Sequence, residues 1–385
     1  MRRNSRFQCG RGLVLALPKG GAASTEKDSI VFGLAKKSKA VVGLDIGSSA
    51  VKAVELKPAG KGFRVAAFAI EPVPPDSIVD GAIIDGGAVA DAIRRVFERK
   101  TFKTKEVAAS LSGNAVIVKK ISLPVMTEAE LGESIYWEAE QYIPFDIQDV
   151  NLDYQILDPG TGPDSKGTMD VLLVAAKKEK IADYTNVISQ AGRVPVVVDV
   201  DAFALQNAYE ANYGPQPGAI VVLLNAGASA ININILSGDQ SLFTRDISIG
   251  GNAYTEAVQK ELGLPFEQAE QAKKGHSEIV AFDEVRPVLH AMTENVLLEI
   301  QKTFDFFKAT AASDRIDRIL LSGGACAVDG FAQALEERFK APVEMFDPFK
   351  KIAFDPPKLG VAQAEQLVPT AAVAVGLALR KAGDR

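Results

Sequence analysis

The chain has 385 residues, 47% hydrophobic and 24% charged, with a formal net charge of −6. This size and composition suit a soluble protein of about two or three domains with a sizeable core, and the acidic balance speaks against a nucleic-acid partner, which calls for a basic excess. Two cysteines (Cys9, Cys326) and two histidines (His276, His290) exclude a disulfide scaffold, a four-cysteine zinc site and a His-rich metal centre, and no apolar run reaches the ~18–20 residues of a membrane span.

In chain order, residues 1–30 differ from the rest. Arg2, Arg3 and Arg6 precede a short apolar stretch at 12–18, at the bottom of the ~7–15 residues of a signal peptide, so a disordered tail or an over-long start is expected and export is not. Folded sequence begins near Val31. FRVAAFAI (63–70) reads as a strand. Residues 88–99 read as a helix with Val89, Ile93, Val96 and Phe97 on one face. EVAASLSG (106–113) and AVIVKKISL (115–123) read as two strands around a Gly113-Asn114 turn. Thr127 and Glu130 form a capping box for a helix over 128–143, with Leu131, Ile135, Ala139, Tyr142 and Ile143 as its stripe and Pro144 as its stop. The Gly/Pro-rich stretch 158–168 reads as a surface loop. A strand at 170–177, a helix at 178–191, a strand at 194–200 and a helix at 202–212 follow, and YGPQPG (213–218) marks a domain boundary.

A repeat sets the architecture. VVGLDIGSSAVKAVE (41–55) and VVLLNAGASAININI (221–235) align without a gap at an offset of 180, and each is followed by another strand. Two like-folded halves facing each other across a cleft are predicted, with a ligand between them. The turn chemistry suits a polyphosphate. Gly47 and Gly227 permit close backbone approach, and the Ser48, Ser49 and Ser229 hydroxyls and nearby N–H groups, including that of Ala228, can face phosphate oxygens. Asp45 at the strand end can hold a hydrated Mg²⁺. Lys52 either reaches a phosphate or is solvated. Two further strand-Gly-Gly-helix joints, Gly250-Gly251 and Gly323-Gly324-Ala325, bring backbone and helix N-termini toward the same ligand. Glu270 and Lys273, one turn apart, either bind a ribose or form a surface ion pair.

With these elements in this order, the sequence resembles the superfamily of actin, the heat-shock chaperone ATPases and the sugar kinases. More specifically it resembles the PilM family of actin-like type IV pilus assembly proteins, related to the cell-division protein FtsA. The segments carrying that match include 32–56, 138–157, 197–210, 244–258, 269–275, 320–331 and 374–380. The resemblance implies an α/β actin-like ATPase fold of two duplicated domains around a nucleotide cleft, with an FtsA-like 1C (SHS2) insert. The implied layout is a tail at 1–30, a first actin-like subdomain at 31–105, the insert at 106–190 and a return at 191–215. A second actin-like subdomain follows at 216–251, a helical lobe at 252–315, a return at 316–368 and a closing helix in 369–385. It implies ATP and Mg²⁺ as ligands and the N-terminal cytoplasmic tail of PilN as partner, within an inner-membrane alignment complex of PilN and PilO that communicates with the pilus motor ATPases. Self-association belongs to the same picture. Docking places the chain in the cytoplasm, peripheral to the inner membrane. The tail is expected between the first subdomain and the insert, against Val116, Val118, Ile121, Tyr136, Tyr142 and Phe145.

One departure matters. The wider superfamily has Asp in the second phosphate loop, where this chain has Asn225. No clear water-activating Gln or Glu is evident, and Asp199 and Asp201 are the nearest candidates, although Asp201 also reads as a helix N-cap. ATP binding is therefore expected with slow or no hydrolysis. A small-molecule kinase is the alternative; it needs a polar acceptor pocket, and the aromatic insert does not read as one.

Overall fold

The computed structural model describes residues 40–160, 167–310, 315–361 and 364–384; the expected tail at 1–30 and part of the loop at 158–168 lie outside them. The first half opens with the antiparallel strands β1 (Val42–Ile46), β2 (Ala50–Ala59) and β3 (Gly62–Pro72). A small hairpin, β4 (Ile78–Val79) and β5 (Ala82–Ile83), leads to α1 (Gly86–Glu98). The Asp85 carboxylate accepts from the Ala88 amide at 2.9 Å and starts that helix. Val89, Ile93, Val96 and Phe97 are all buried on its inner face, as the periodicity predicts. β6 (Glu106–Leu111) then runs parallel to β1.

The chain next leaves the first sheet. β7 (Val116–Pro124), α2 (Glu128–Glu140), β8 (Val150–Asp158) and β9 (Thr168–Lys177) form a separate antiparallel sheet in the order β7-β9-β8. The two strands expected around Gly113-Asn114 thus belong to different sheets rather than to one hairpin. β8 alternates apolar and polar residues from Val150 to Ile156, and most of them are half-buried. α2 has the predicted capping box: Thr127 Oγ1 accepts from the Glu130 amide at 3.3 Å, and Glu130 accepts from the Thr127 amide at 2.7 Å. It ends at Glu140, so Tyr142 and Ile143 lie beyond it. Leu131, Ile135 and Ala139 bury its stripe against β7 and β9.

α3 (Lys178–Gln190) and β10 (Val194–Val200) bring the chain back, and the first sheet closes in the order β10-β6-β1-β2-β3. α4 (Asp201–Asn212) crosses to the second half. There β11 (Gln216–Ala226), β12 (Ile231–Gly238) and β13 (Gln240–Ile247) repeat the opening meander. β11 begins inside the 213–218 segment that reads from sequence as a break. α5 (Gly251–Leu262), α6 (Phe266–Lys273) and the long α7 (Phe282–Thr310) follow. β14 (Arg318–Ser322), α8 (Phe331–Phe339) and β15 (Val343–Met345) complete the second sheet, β13-β12-β11-β14-β15. Two short helices, α9 (Pro356–Leu359) and α10 (Ala364–Leu367), precede α11 (Ala372–Ala378).

Each half has its own core, and a further apolar cluster joins them: Val54 and Phe68 of the first sheet, Leu205 and Tyr209 of α4, Leu223 and Leu320 of the second sheet, and Val375 of α11. Among the described residues no helix is long and apolar enough to cross a membrane.

Candidate functional site

The repeat folds the same way twice. β1 and β2 pair Asp45 with Lys52, while β11 and β12 pair Asn225 with Asn232. The Gly47 amide donates to the Ala50 carbonyl at 3.2 Å, and the Gly227 amide donates to the Ala230 carbonyl at 2.9 Å. The two turns meet tip to tip, with 2.6 Å between the Ser48 and Ser229 hydroxyl oxygens. Between them lies a cavity of about 440 Å³, of the size of an ordinary ligand site. Asp45, Gly47, Ser48, Ser49, Lys52, Asn225, Gly227, Ala228, Ser229, Gly251, Glu270, Lys273, Gly323, Gly324 and Ala325 all line it. Gly250 lines the adjoining pocket.

Glycines let the backbone segments around this cleft pack closely. A Cβ on Gly227 would sit 2.9 Å from the Ala230 carbonyl oxygen, and one on Gly250 would sit 2.6 Å from that of Ala228. Gly323 has φ +91°, and a side chain there would overlap the Ala226 carbonyl. The Gly250-Gly251 joint packs on the second turn: the Gly251 and Asn252 amides donate to the Gly227 and Ala228 carbonyls at 2.9 and 2.8 Å. α5 starts there as expected. The Gly323-Gly324 joint differs from expectation. A 3₁₀ turn over Gly324–Ala327 follows it, and α8 begins only at Phe331, so no α-helix N-terminus stands directly behind it.

The charged side chains are already paired. Lys52 Nζ donates to Asp45 Oδ2 at 2.9 Å, with both side chains largely buried, so Lys52 is neither free nor solvated. Lys273 and Glu270 form an ion pair at 2.5 Å that faces the cleft, and Thr255 Oγ1 donates to Glu270 at 2.6 Å. Burial pushes the Glu270 carboxyl up, but the Lys273 ammonium outweighs it, helped by Thr255 and Lys274, and holds it below its ordinary value.

The two acid candidates separate. Asp199 is fully buried away from the cleft, bonded to Arg380 Nε at 2.7 Å with neither side chain exposed. That role is structural and removes it as a water activator. Asp201 lines the cavity. It does not cap α4, whose N-cap is Val200 without a side-chain bond; its carboxylate instead accepts from Ser110 Oγ at 2.5 Å. Burial and the nearby Asp45 charge push the Asp201 carboxyl up to about 6.

The six expected groove residues do not form one wall. Side chains alternate along β7, so Val116 and Val118 pack toward the core of the first half while Ile121 is buried in the core of the insert. Ile121 is therefore closed to a partner. Tyr136 is 49% exposed and its neighbour Trp137 is 73% exposed. Tyr142 and Phe145 are half-buried, with Lys119 and Lys177 over their rings.

The sequence reading missed Asn232, Asp246, Ser112, Gly113, Tyr184 and Asn252, which also line the cleft. Asn232 was findable, since it stands at the repeat position of Lys52, and Gly113 and Asn252 sit at a turn and a glycine joint already singled out; Ser112, Tyr184 and Asp246 carry no local signal.

Comparison with known proteins settles the family. The sequence model of the type IV pilus assembly protein PilM matches residues 43–382. This chain belongs to the PilM family. A solved PilM-PilN type IV pilus biogenesis complex contains a chain with the same fold, at 32% identity and a TM-score of 0.78, covering 89% of this chain and 98% of that one. The ethanolamine utilization protein EutJ from Carboxydothermus hydrogenoformans shares the fold at 16% identity and a TM-score of 0.51, covering 89% of each chain. MreB5 of Spiroplasma citri, solved bound to AMPPNP, follows at 14% identity and a TM-score of 0.48, covering 88% of this chain and 95% of that one. The fold shared with the PilM chain and with EutJ is an actin-like α/β fold, with the β7–β9 sheet inserted in its first half.

Proposed function

We infer that this chain binds ATP with Mg²⁺ in the cleft and, as the PilM-family member of a pilus assembly complex, docks the cytoplasmic N-terminal tail of PilN at the inner membrane. The observation that carries the reading is the meeting of two equivalent glycine-serine turns across one cavity, Ser48 to Ser229, with the Gly323 backbone on a third side. Turn amides and hydroxyls supply donors for phosphate oxygens. Gly324, where a Cβ would meet nothing within 4 Å, leaves bare backbone on the cavity wall for a planar or phosphate group. Mg²⁺ would neutralise phosphate charge there, with Asp45 as the carboxylate that holds it, through water.

Asp201 is the acid in place to take a proton from a water in the cleft. Asn225 contributes no charge opposite it, so turnover stays well below the ~1–10³ s⁻¹ of ordinary enzymes. The PilM-PilN complex supports the partner. The tail's wall reduces to Tyr136, Tyr142 and Phe145. Asp45→Ala should weaken Mg·ATP at least about tenfold in calorimetry, the loss expected for one charged partner, and leave PilN-tail affinity unchanged. Tyr136→Asp and Phe145→Asp should do the reverse. Unchanged ATP affinity in the Asp45 variant would remove the metal assignment.

A further inference from the structure

A line of polar side chains crosses the second sheet at the cleft and ends on the first half. Ser322, Asn225, Asn232 and Asp246 occupy cross-strand positions of β14, β11, β12 and β13. Ser322 Oγ donates to Asn225 Oδ1 at 3.3 Å, Asn225 Nδ2 donates to Asn232 Oδ1 at 3.0 Å, and Asn232 Nδ2 donates to Asp246 Oδ1 at 2.8 Å. The other oxygen of Asp246 accepts from the Gly113 backbone amide at 2.5 Å. Both amide donors in the line therefore point toward one carboxylate, an arrangement in which each bond polarises the next, while the Ser322 hydroxyl also lies 3.4 Å from the Leu224 carbonyl. Asn225 belongs to the second glycine-serine turn, and Gly113 belongs to the segment that leads from β6 into the insert.

That segment is held on both sides. The Ser112 carbonyl accepts from the buried Lys180 Nζ at 2.5 Å. The Gly113 carbonyl accepts from the Val116 amide at 3.0 Å, at the start of β7. Gly113 has φ +80°, a conformation that turns its N–H toward Asp246 and that other residues adopt only with strain. The amide that starts the insert is thus fastened by a residue of the opposite half, across the cavity that both line.

We propose that Asp246 is a coupling residue: a ligand that draws the two halves together at the cleft moves the 112–116 segment through the Asp246–Gly113 bond and so sets the position of the insert. The idea rests on the nucleotide reading above. Coupling of this kind is reciprocal, so a partner on the insert changes nucleotide affinity by the same factor.

The test is hydrogen exchange of the full chain with and without saturating Mg·ATP, beside calorimetry of Mg·ATP on the same samples. In the unmodified protein the amides of 112–124 should exchange about tenfold more slowly with nucleotide, within the usual range of coupling factors. Asp246→Ala, brought to saturation with Mg·ATP as judged by calorimetry, should lose that nucleotide-dependent protection. Should the alanine variant fold poorly, Asp246→Asn serves the same purpose. An amide there accepts from only one of its two neighbours and presents its NH₂ to the other donor, so protection should again fall. Protection that persists in both variants overturns the proposal. So does an unmodified protein that binds Mg·ATP without slowing 112–124. An unmodified protein that binds no Mg·ATP overturns the nucleotide reading instead, and the coupling with it.

Discussion

Asp45 and Lys52 in one half, and Asn225 and Asn232 in the other, solve the same local problem with different chemistry. Both pairs sit at the mouth of a strand-turn-strand unit, largely out of solvent, where a lone polar group costs about 1–3 kcal/mol. The ion pair satisfies itself at 2.9 Å and the amide pair at 3.0 Å. Restoring the charge in one position alone should therefore fail. Asn225→Asp sets two carboxylates, 225 and 246, against the single NH₂ of Asn232 and should destabilise the protein by about 1–3 kcal/mol in urea unfolding. Asn232→Lys added to it should recover most of that loss, giving a coupling energy of about 1 kcal/mol or more in the double-mutant cycle. A simple sum of the single effects would refute the pairing. Asp201 yields a prediction in pH. Its folded pKa of about 6 lies above its ordinary value of 3.8, so the unfolded chain gives up the proton first. The penalty is absent below about pH 4, grows as the pH rises through 6, and is complete at pH 7.5. Asp201→Asn, which still accepts from Ser110, should gain about 1–2 kcal/mol over the unmodified protein at pH 7.5 and nothing at pH 4.

At the scale of elements, legibility followed how local the signal was. The start of α2 was readable because Thr127 and Glu130 write it into the chain, whereas its end was not, since the helix stops at Glu140, ahead of Pro144. Thr127→Ala should cost about 1 kcal/mol by thermal or urea unfolding, and Thr127→Ser should cost much less. The paired glycine turns were readable because a close approach leaves glycine little alternative, and a gapless repeat confirmed them internally. What the sequence hid was pairing. Gly113 announces a turn but not that its two strands enter different sheets. Val116, Val118 and Ile121 look alike as β-branched residues, yet one position of slip along a strand reverses the face, so two of them face the first half and the third faces α2. Asp246 and Tyr184 reach the cleft only through tertiary contacts, and no motif marks them. The same limit explains Asp199 and Asp201. Two residues apart in sequence, they diverge because β10 ends between them, one aspartate turning to Arg380 behind the sheet and the other to the cavity.

For the whole molecule, the closing helix joins what the two halves share. α11 lies against β1 and α4, and both contacts need glycine. A Cβ on Gly43 would overlap the Ala374 carbonyl, and one on Gly376 would overlap the Ala204 carbonyl. The Asp199–Arg380 pair fastens the chain just past the end of α11 to β10, and Val375 of α11 enters the core common to both sheets. This gives a prediction whose sign decides between two effects. Glycine inside a helix is worse than alanine by roughly 0.5–1 kcal/mol, so on backbone entropy alone Gly376→Ala would stabilise the protein. The carbonyl of α4 lies where the new methyl must go, and overpacking in a rigid core costs about 1–3 kcal/mol or more. The second term should win, with urea unfolding showing a net loss of about 1–2 kcal/mol or more. Because α11 touches both halves, the loss should appear as one shifted transition by circular dichroism, not as early melting of one half. A stabilised Gly376→Ala variant would mean that α11 has room to move off α4. The shared core would then be a sliding contact between the halves, with no fixed pivot beneath the cleft.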